Sequence, residues 1–215
     1  MSARDRILTA VREGLGNPAR DPAAIAAEAA ALLDDADAIR PRLVAGTAVE
    51  SFIEKSTAIG TTIGRAEDLS AVPAAVADYL AAQGLAGPVA VDGDLAPLDW
   101  GEVATTRDIA SDAPVGVGLA RFGVAESGSV VIHSGAQTPI LLAFLPLHHV
   151  VVLRTADILG HLEDYAARIE AERARGDGPA RNTILITGPS GTTDIEGSYV
   201  RGAHGPGFVH VILVD

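Results

Sequence analysis

The sequence contains no cysteine. That excludes disulfides, thiolate-ligated iron–sulfur clusters and cysteine nucleophiles within this chain. It is compatible with a reducing compartment. Aromatic residues make up 4% of the 215 residues, against 48% apolar residues, many of them alanine. Such a composition predicts a packed core built by close helix packing rather than by bulky rings. Positive charge is also short: 16 Lys and Arg face 28 Asp and Glu, for a net charge of −12. A chain of this sign repels phosphate backbones and anionic bilayers, so nucleic acid is not an expected partner. The local basic run Arg168, Arg173 and Arg175 reads as a solvated helix face. The longest apolar stretch, Pro139 to Leu153, is interrupted by Pro146, His148 and His149. It is too short to span a bilayer. The segment from Met1 to Gly14 is charged throughout and has no signal-peptide core. A soluble, cytoplasmic protein with no membrane span is expected. Familiar catalytic signatures are missing as well. There is no Gly-Lys-Ser/Thr phosphate loop, no dinucleotide fingerprint and no Gly-x-Ser-x-Gly elbow. His133, His148 and His149 match no zinc spacing, so no metal site is expected.

What is present reads as an α/β protein with an N-terminal helical arm over 1–45 and a main domain over 46–215. Ser2 to Leu15 and Ala23 to Arg40 carry helical apolar spacing, with Asn17 to Pro22 as a linker. An arm with so few large apolar residues suits packing on a partner or on another copy of itself, so a complex or homo-oligomer is expected. From Thr47 onward helices and strands alternate. Thr47–Thr57, Asp68–Gln83 and Ile158–Arg175 read as helices. Ala58–Ile63 is β-prone. Pro88–Val91, Val115–Leu119, His149–Leu153, Thr183–Thr187 and Phe208–Val214 read as strands. Phe122–His133 reads as strand–turn–strand around Glu126-Ser127-Gly128. The alternation predicts a mostly parallel sheet covered by helices.

Three segments carry candidate chemistry. The strand ending at Thr187 runs into Gly188-Pro189-Ser190-Gly191 and then Thr192-Thr193-Asp194-Ile195-Glu196. A glycine-containing turn ahead of a helix would make an anion site from backbone N–H groups, with Ser190 and Thr192 as further donors and Asp194 beside them. The same letters also read as a capping box, Thr193 with Glu196, opening that helix. His204-Gly205-Pro206 places a histidine on a constrained turn. It is a general base or anion ligand in one reading, and a turn histidine bonded to a carbonyl in the other. A short helix between would return His204 to the sheet edge near Asp194. Glu126, on its tight turn with Ser127 and Gly128, is either a rigidly held nucleophile or base, or a carboxylate accepting backbone N–H bonds.

Three separated motifs together resemble one family. They are G-V-G-L-A-R-F-G-V-A-E-S-G-S-V-V-I-H-S (Gly116–Ser134), F-L-P (Phe144–Pro146) and I-T-G-P-S-G-T-T-D-I-E…R-G-A-H-G-P (Ile186–Pro206). In order and spacing they resemble the lactate utilization protein C family of LUD-domain proteins. The resemblance implies a three-layer α/β/α sandwich like that of the sugar-phosphate isomerase and CoA-transferase group. It implies a subunit that supports oxidation of L-lactate to pyruvate together with iron–sulfur partner subunits. On that reading this chain binds no redox cofactor itself and serves as a ligand-binding or accessory subunit. The family brings no assigned catalytic residues, so none is carried over. The matched positions, Glu126, Ser127, Gly128, Gly188, Pro189, Ser190, Asp194, Ile195, Glu196, His204, Gly205 and Pro206, are motif positions only, and the candidates for binding a small anionic ligand are Glu126, Ser127, Gly128, Gly188, Ser190, Thr192, Asp194, Glu196 and His204. One departure stands out. Family members often carry a basic residue shortly before the Leu-Pro motif, where this chain has Gln137-Thr138-Pro139. Two other readings stay open. Glu126-Ser127-Gly128 is similar to the Glu-Asn-Gly turn of CoA-transferases, which would make the chain a transferase or isomerase in its own right. Alternatively the chain is a non-catalytic interaction scaffold whose motifs are capping and turn devices.

Overall fold

A computed structural model describes residues 2–15, 20–34, 40–109, 114–176, 178 and 180–215. The chain divides into two units, residues 1–40 and 41–215. The first unit holds two helices among its described residues, α1 (Ala3–Leu15) and α2 (Pro22–Leu33). The Ser2 hydroxyl accepts from the Asp5 N–H at 3.1 Å and so caps α1. Pro22 lies in the first turn of α2, with Asp21 as its N-cap. Proline belongs there because that N–H would be orphaned anyway, and the linker expected through Pro22 therefore ends one residue earlier. The helix expected to reach Arg40 closes at Leu33, and residues 35–39 lie outside the described set.

The second unit is built on a six-stranded sheet in which every paired neighbour is parallel. Its order is β1 (Thr62–Ala66), β12 (Phe208–Val214), β7 (His148–Arg154), β4 (Val115–Leu119), β2 (Val89–Val91), β3 (Thr105–Thr106). The middle strands are near-continuous apolar runs because both of their faces are covered. One face packs under α4 (Val72–Gln83), through Val72, Val76 and Tyr79, together with Leu95 and Trp100. The Trp100 indole N–H is satisfied by the Leu95 carbonyl at 3.1 Å. The other face meets α3 (Ala48–Ala58), whose Phe52 is fully buried against Val151, Leu153, Val211 and Leu213. Thr47 and Glu50 form a reciprocal capping box at the start of α3.

A second sheet lies over that same face. Its order is β8 (Ile158–Leu159), β5 (Phe122–Val124), β6 (Ser129–His133), β9 (Thr183–Ile186). Ala125, Val130 and Ile132 share the core with Phe52. The outer residues Phe122, Val124 and Val131 are covered by Tyr165 and Ile169 of α5 (Leu162–Ala174). The chain is thus an α/β fold with helices on both sides of a mostly parallel central sheet.

Two expectations need correction. The helix expected from Ile158 begins at Leu162. Ile158 and Leu159 pair instead with Gly123 and Val124 as an edge strand, because the apolar pair is needed to extend the second sheet. The helix expected at Thr193 does not form. Residues 191–201 are an antiparallel hairpin, β10 (Gly191–Ile195) and β11 (Ser198–Arg201). Glu196 and Gly197 sit at its turn with φ of 52° and 70°. Two consecutive positive φ values are what a two-residue hairpin loop demands. Flanking Thr192, Thr193, Tyr199 and Val200 favour extended backbone. The Thr-x-x-Glu spacing is therefore not a capping box, and no helix links Asp194 to His204.

Candidate functional site

The predicted motif residues gather in two places. The first is the end of α3. There Gly128, with φ of 69°, presses on the helix backbone so closely that a Cβ would lie 2.4 Å from the Ser56 nitrogen. Gly188 approaches the same end, where a Cβ would lie 3.0 Å from the Ile59 carbonyl oxygen. Between them runs a chain of hydroxyls. Ser127 and Ser129 are 2.8 Å apart, and Ser129 and Thr187 are 2.6 Å apart. Glu126 leaves this cluster. Its carboxylate accepts the Leu162 N–H at 2.8 Å and thereby caps α5. The second place is the foot of the hairpin. The Ser190 N–H donates to the Pro206 carbonyl at 2.8 Å, and the Gly202 N–H donates to the Ser190 carbonyl at 2.9 Å. This brings Ser190 to the His204-Gly205-Pro206 turn. His204 itself is exposed. Asp194 and Glu196 are exposed farther along the hairpin, and the Thr192 hydroxyl accepts the Asp194 N–H at 3.2 Å.

None of these residues lines the cavity that the topology makes. In parallel sheets ligands sit outside the carboxyl ends of the strands. Here β2, β4 and β7 end beside a cavity of about 530 Å³. Its charged lining includes Asp94, Arg121, Arg154 and Asp157, joined by His133 and Thr138. Arg121 follows β4, and Arg154 closes β7. Arg121 pairs with Glu172 at 2.7 Å and lies 4.9 Å over the Phe122 ring. Arg154 is exposed and has no ion pair among the described residues. His133 bonds the Tyr165 hydroxyl at 3.0 Å. Burial and the nearby Arg121 cation hold its pKa below the usual histidine value, against an opposing pull from Glu172. Its imidazole is neutral at pH 7. Asp92, just beyond the end of β2, is fully buried. Its Oδ1 accepts the Asp94 N–H at 2.9 Å, and the Thr138 side chain and the Arg107 cation also favour its charged form. Burial raises its pKa. Among the described residues, no three His, Asp or Glu side chains gather as a metal would require.

A family model described as "LUD domain" matches residues 49–214. The chain belongs to the LUD domain family. Two curated relatives illustrate the range. An uncharacterized protein of Escherichia coli (strain K12), YkgG, is 36% identical over 107 residues, covering 49% of this chain and 46% of that protein. A lactate utilization protein C of Geobacillus sp. (strain WCH70) is 34% identical over 107 residues, covering 50% of this chain and 44% of that protein. The chain spans about half the length of the curated relatives it matches. A solved structure of a DUF162 family protein from Deinococcus radiodurans superposes with a TM-score of 0.55 at 17% identity, covering 78% of this chain and 96% of that one. It shares the fold.

Within this LUD domain the motifs have structural explanations. The Phe144–Pro146 segment packs over β4, where a Cβ on Gly116 would lie 2.6 Å from the Pro146 ring. The cavity residues Asp94, Arg121, Arg154 and Asp157 were not singled out from the sequence. The signal that could have found them is positional: a charged residue just beyond the carboxyl end of each predicted parallel strand. No helix among the described residues is long and apolar enough to cross a membrane.

Proposed function

We propose that this chain is the cluster-free component of a lactate utilization system. In this reading it supports oxidation of L-lactate to pyruvate alongside iron–sulfur partner subunits in the cytoplasm. Its own part is to bind an anionic ligand in the cavity that Arg121 and Arg154 line. The lactate utilization names of its relatives support the system. The observation that supports the binding role is Arg154, exposed on the cavity wall at the carboxyl end of β7 and without an ion pair among the described residues. A transferase acting through Glu126 is less well supported, because that carboxylate is engaged at the N-terminus of α5.

Growth on L-lactate tests this. In a strain lacking the gene, wild type, Asp194→Ala and His204→Ala are expected to restore growth. Both side chains are exposed, and such substitutions typically change stability by less than about 0.5 kcal/mol. Arg154→Glu, made to the same level, is expected not to restore it. Full growth with Arg154→Glu and none with His204→Ala would move the function to the hairpin foot.

A further inference from the structure

The two edges of the central sheet are built differently. One edge strand, β3, is only two residues long and offers little to pair with. The other, β1, is five residues long and pairs with β12 in unbroken register from Thr62 to Ala66. No bulge or proline blunts it. The backbone groups on its outer side make no hydrogen bond among the described residues. Such an edge is a template for a further strand.

Beside this edge, between β1 and α4, lies a groove of about 370 Å³. It shares no lining residue with the cavity at the carboxyl ends of the strands. The groove exists because its flanks are small. Gly64 stands opposite Ile212, so Thr62, Gly64 and Ala66 face α4, which answers with Ala75 and Ala82. Tyr79 and His210 form its floor, stacked at 4.4 Å. Both rings are fixed: the Thr62 hydroxyl is 2.8 Å from His210 Nδ1, and the Tyr79 hydroxyl is 2.9 Å from His148 Nδ1. Burial keeps His210 neutral at pH 7, so the floor suits apolar groups. Gly64 is needed here, since a Cβ would lie 2.8 Å from His210 Nε2. A strand added about 4.8 Å outside β1 would send alternate side chains over this face, into the groove.

Charge selects among strands. Asp78, on the groove flank of α4, is exposed and has no ion pair among the described residues. Arg65 also reaches the rim, but it alternates to the opposite face of β1 from Gly64 and does not pair with Asp78. A second copy is a poor occupant. The net charge of −12 opposes it, and antiparallel pairing of β1 with itself would set two α4 flanks, each with an Asp78, side by side. We infer that the β1 edge receives an extended segment of a partner protein, with a large apolar side chain over Tyr79 and His210 and a basic side chain beside Asp78. This surface is independent of the anion-binding reading above.

Short synthetic peptides test this on the purified full chain at low ionic strength. In the probe, threonines space a leucine and a lysine two positions apart, and the control carries glutamate in place of lysine. Fluorescence anisotropy reads affinity, and amide hydrogen exchange reads location. The lysine peptide is expected to bind about threefold or more tighter than the glutamate peptide, the scale of an exposed charge pair. It is expected to slow exchange at the amides of residues 62–66. Asp78→Lys is expected to reverse the preference with an unchanged melting temperature, since Asp78 is exposed. Equal affinity for both peptides, no binding of either, or protection confined to residues outside 62–66 would overturn the inference. Protection of 62–66 that grows with protein concentration in the absence of peptide would assign the edge to a second copy and overturn the partner.

Discussion

Gly128→Ala is expected to destabilise the protein by about 3 kcal/mol, from two separable terms. A non-glycine residue in left-handed backbone costs about 1–2 kcal/mol, and Gly128 has φ of 69°. The added methyl would also meet α3 backbone, 2.4 Å from the Ser56 nitrogen and 2.8 Å from the Lys55 carbonyl carbon. Backbone cannot swing aside as a side chain can, and forced overpacking adds about 1–3 kcal/mol. Gly84 separates the terms. It has φ of 63° with nothing within 4 Å of its Cβ position, so Gly84→Ala reports the backbone term alone. Gly135 has neither constraint, and Gly135→Ala is expected to be neutral to within about 0.5 kcal/mol. At roughly 2–4 °C per kcal/mol for a chain of this size, Gly128→Ala should melt on the order of 10 °C below wild type. Equal losses for Gly128→Ala and Gly84→Ala would show that the turn does not press on α3. The expected difference would establish that Glu126-Ser127-Gly128 is a packing motif, which is what its hydroxyl chain and helix-capping carboxylate already indicate.

Acid is expected to destabilise the fold, with His149 alone contributing about 2 kcal/mol between pH 7 and pH 5. His149 is fully buried, with Nδ1 unbonded, and burial brings its pKa down to about 4. In the unfolded chain the value is about 6.5. The folded state therefore prefers the neutral ring, and protons bind the unfolded chain first as pH falls. The contribution is fully present above about pH 6.5, declines as pH drops, and is gone below about 4. The whole gap corresponds to about 3 kcal/mol. His210, also held near 4 by burial, acts in the same direction. Urea unfolding at pH 7 and pH 5 measures the effect, and His149→Gln should reduce the slope. A flat profile between those values would mean that His149 titrates normally and is not enclosed.

Much of the fold is legible from local pattern. Val115–Leu119, His148–Arg154 and Phe208–Val214 carry apolar runs because helices or the second sheet cover both faces. The second sheet is not legible, since its pairs join Gly123 to Ile158 and Val130 to Ile186 across long separations. The hairpin at 191–201 misleads because Thr193 and Glu196 sit at capping-box spacing, while the decisive feature is the conformation of Glu196-Gly197. The candidate site follows the same division. The motif residues stand out because glycines recur where turns approach α3 and β4, a packing requirement rather than a chemical one. Asp94, Arg121 and Arg154 are isolated letters in the sequence. They come to line one cavity because parallel β2, β4 and β7 bring their carboxyl ends together.

The location of a bound anion tests the central claim most directly. Crystals soaked in tungstate, a heavy analogue of phosphate, would report it by anomalous scattering. The predicted result is a peak in the cavity lined by Arg121 and Arg154. A peak at the Ser190–His204 turn with the cavity empty would contradict the account.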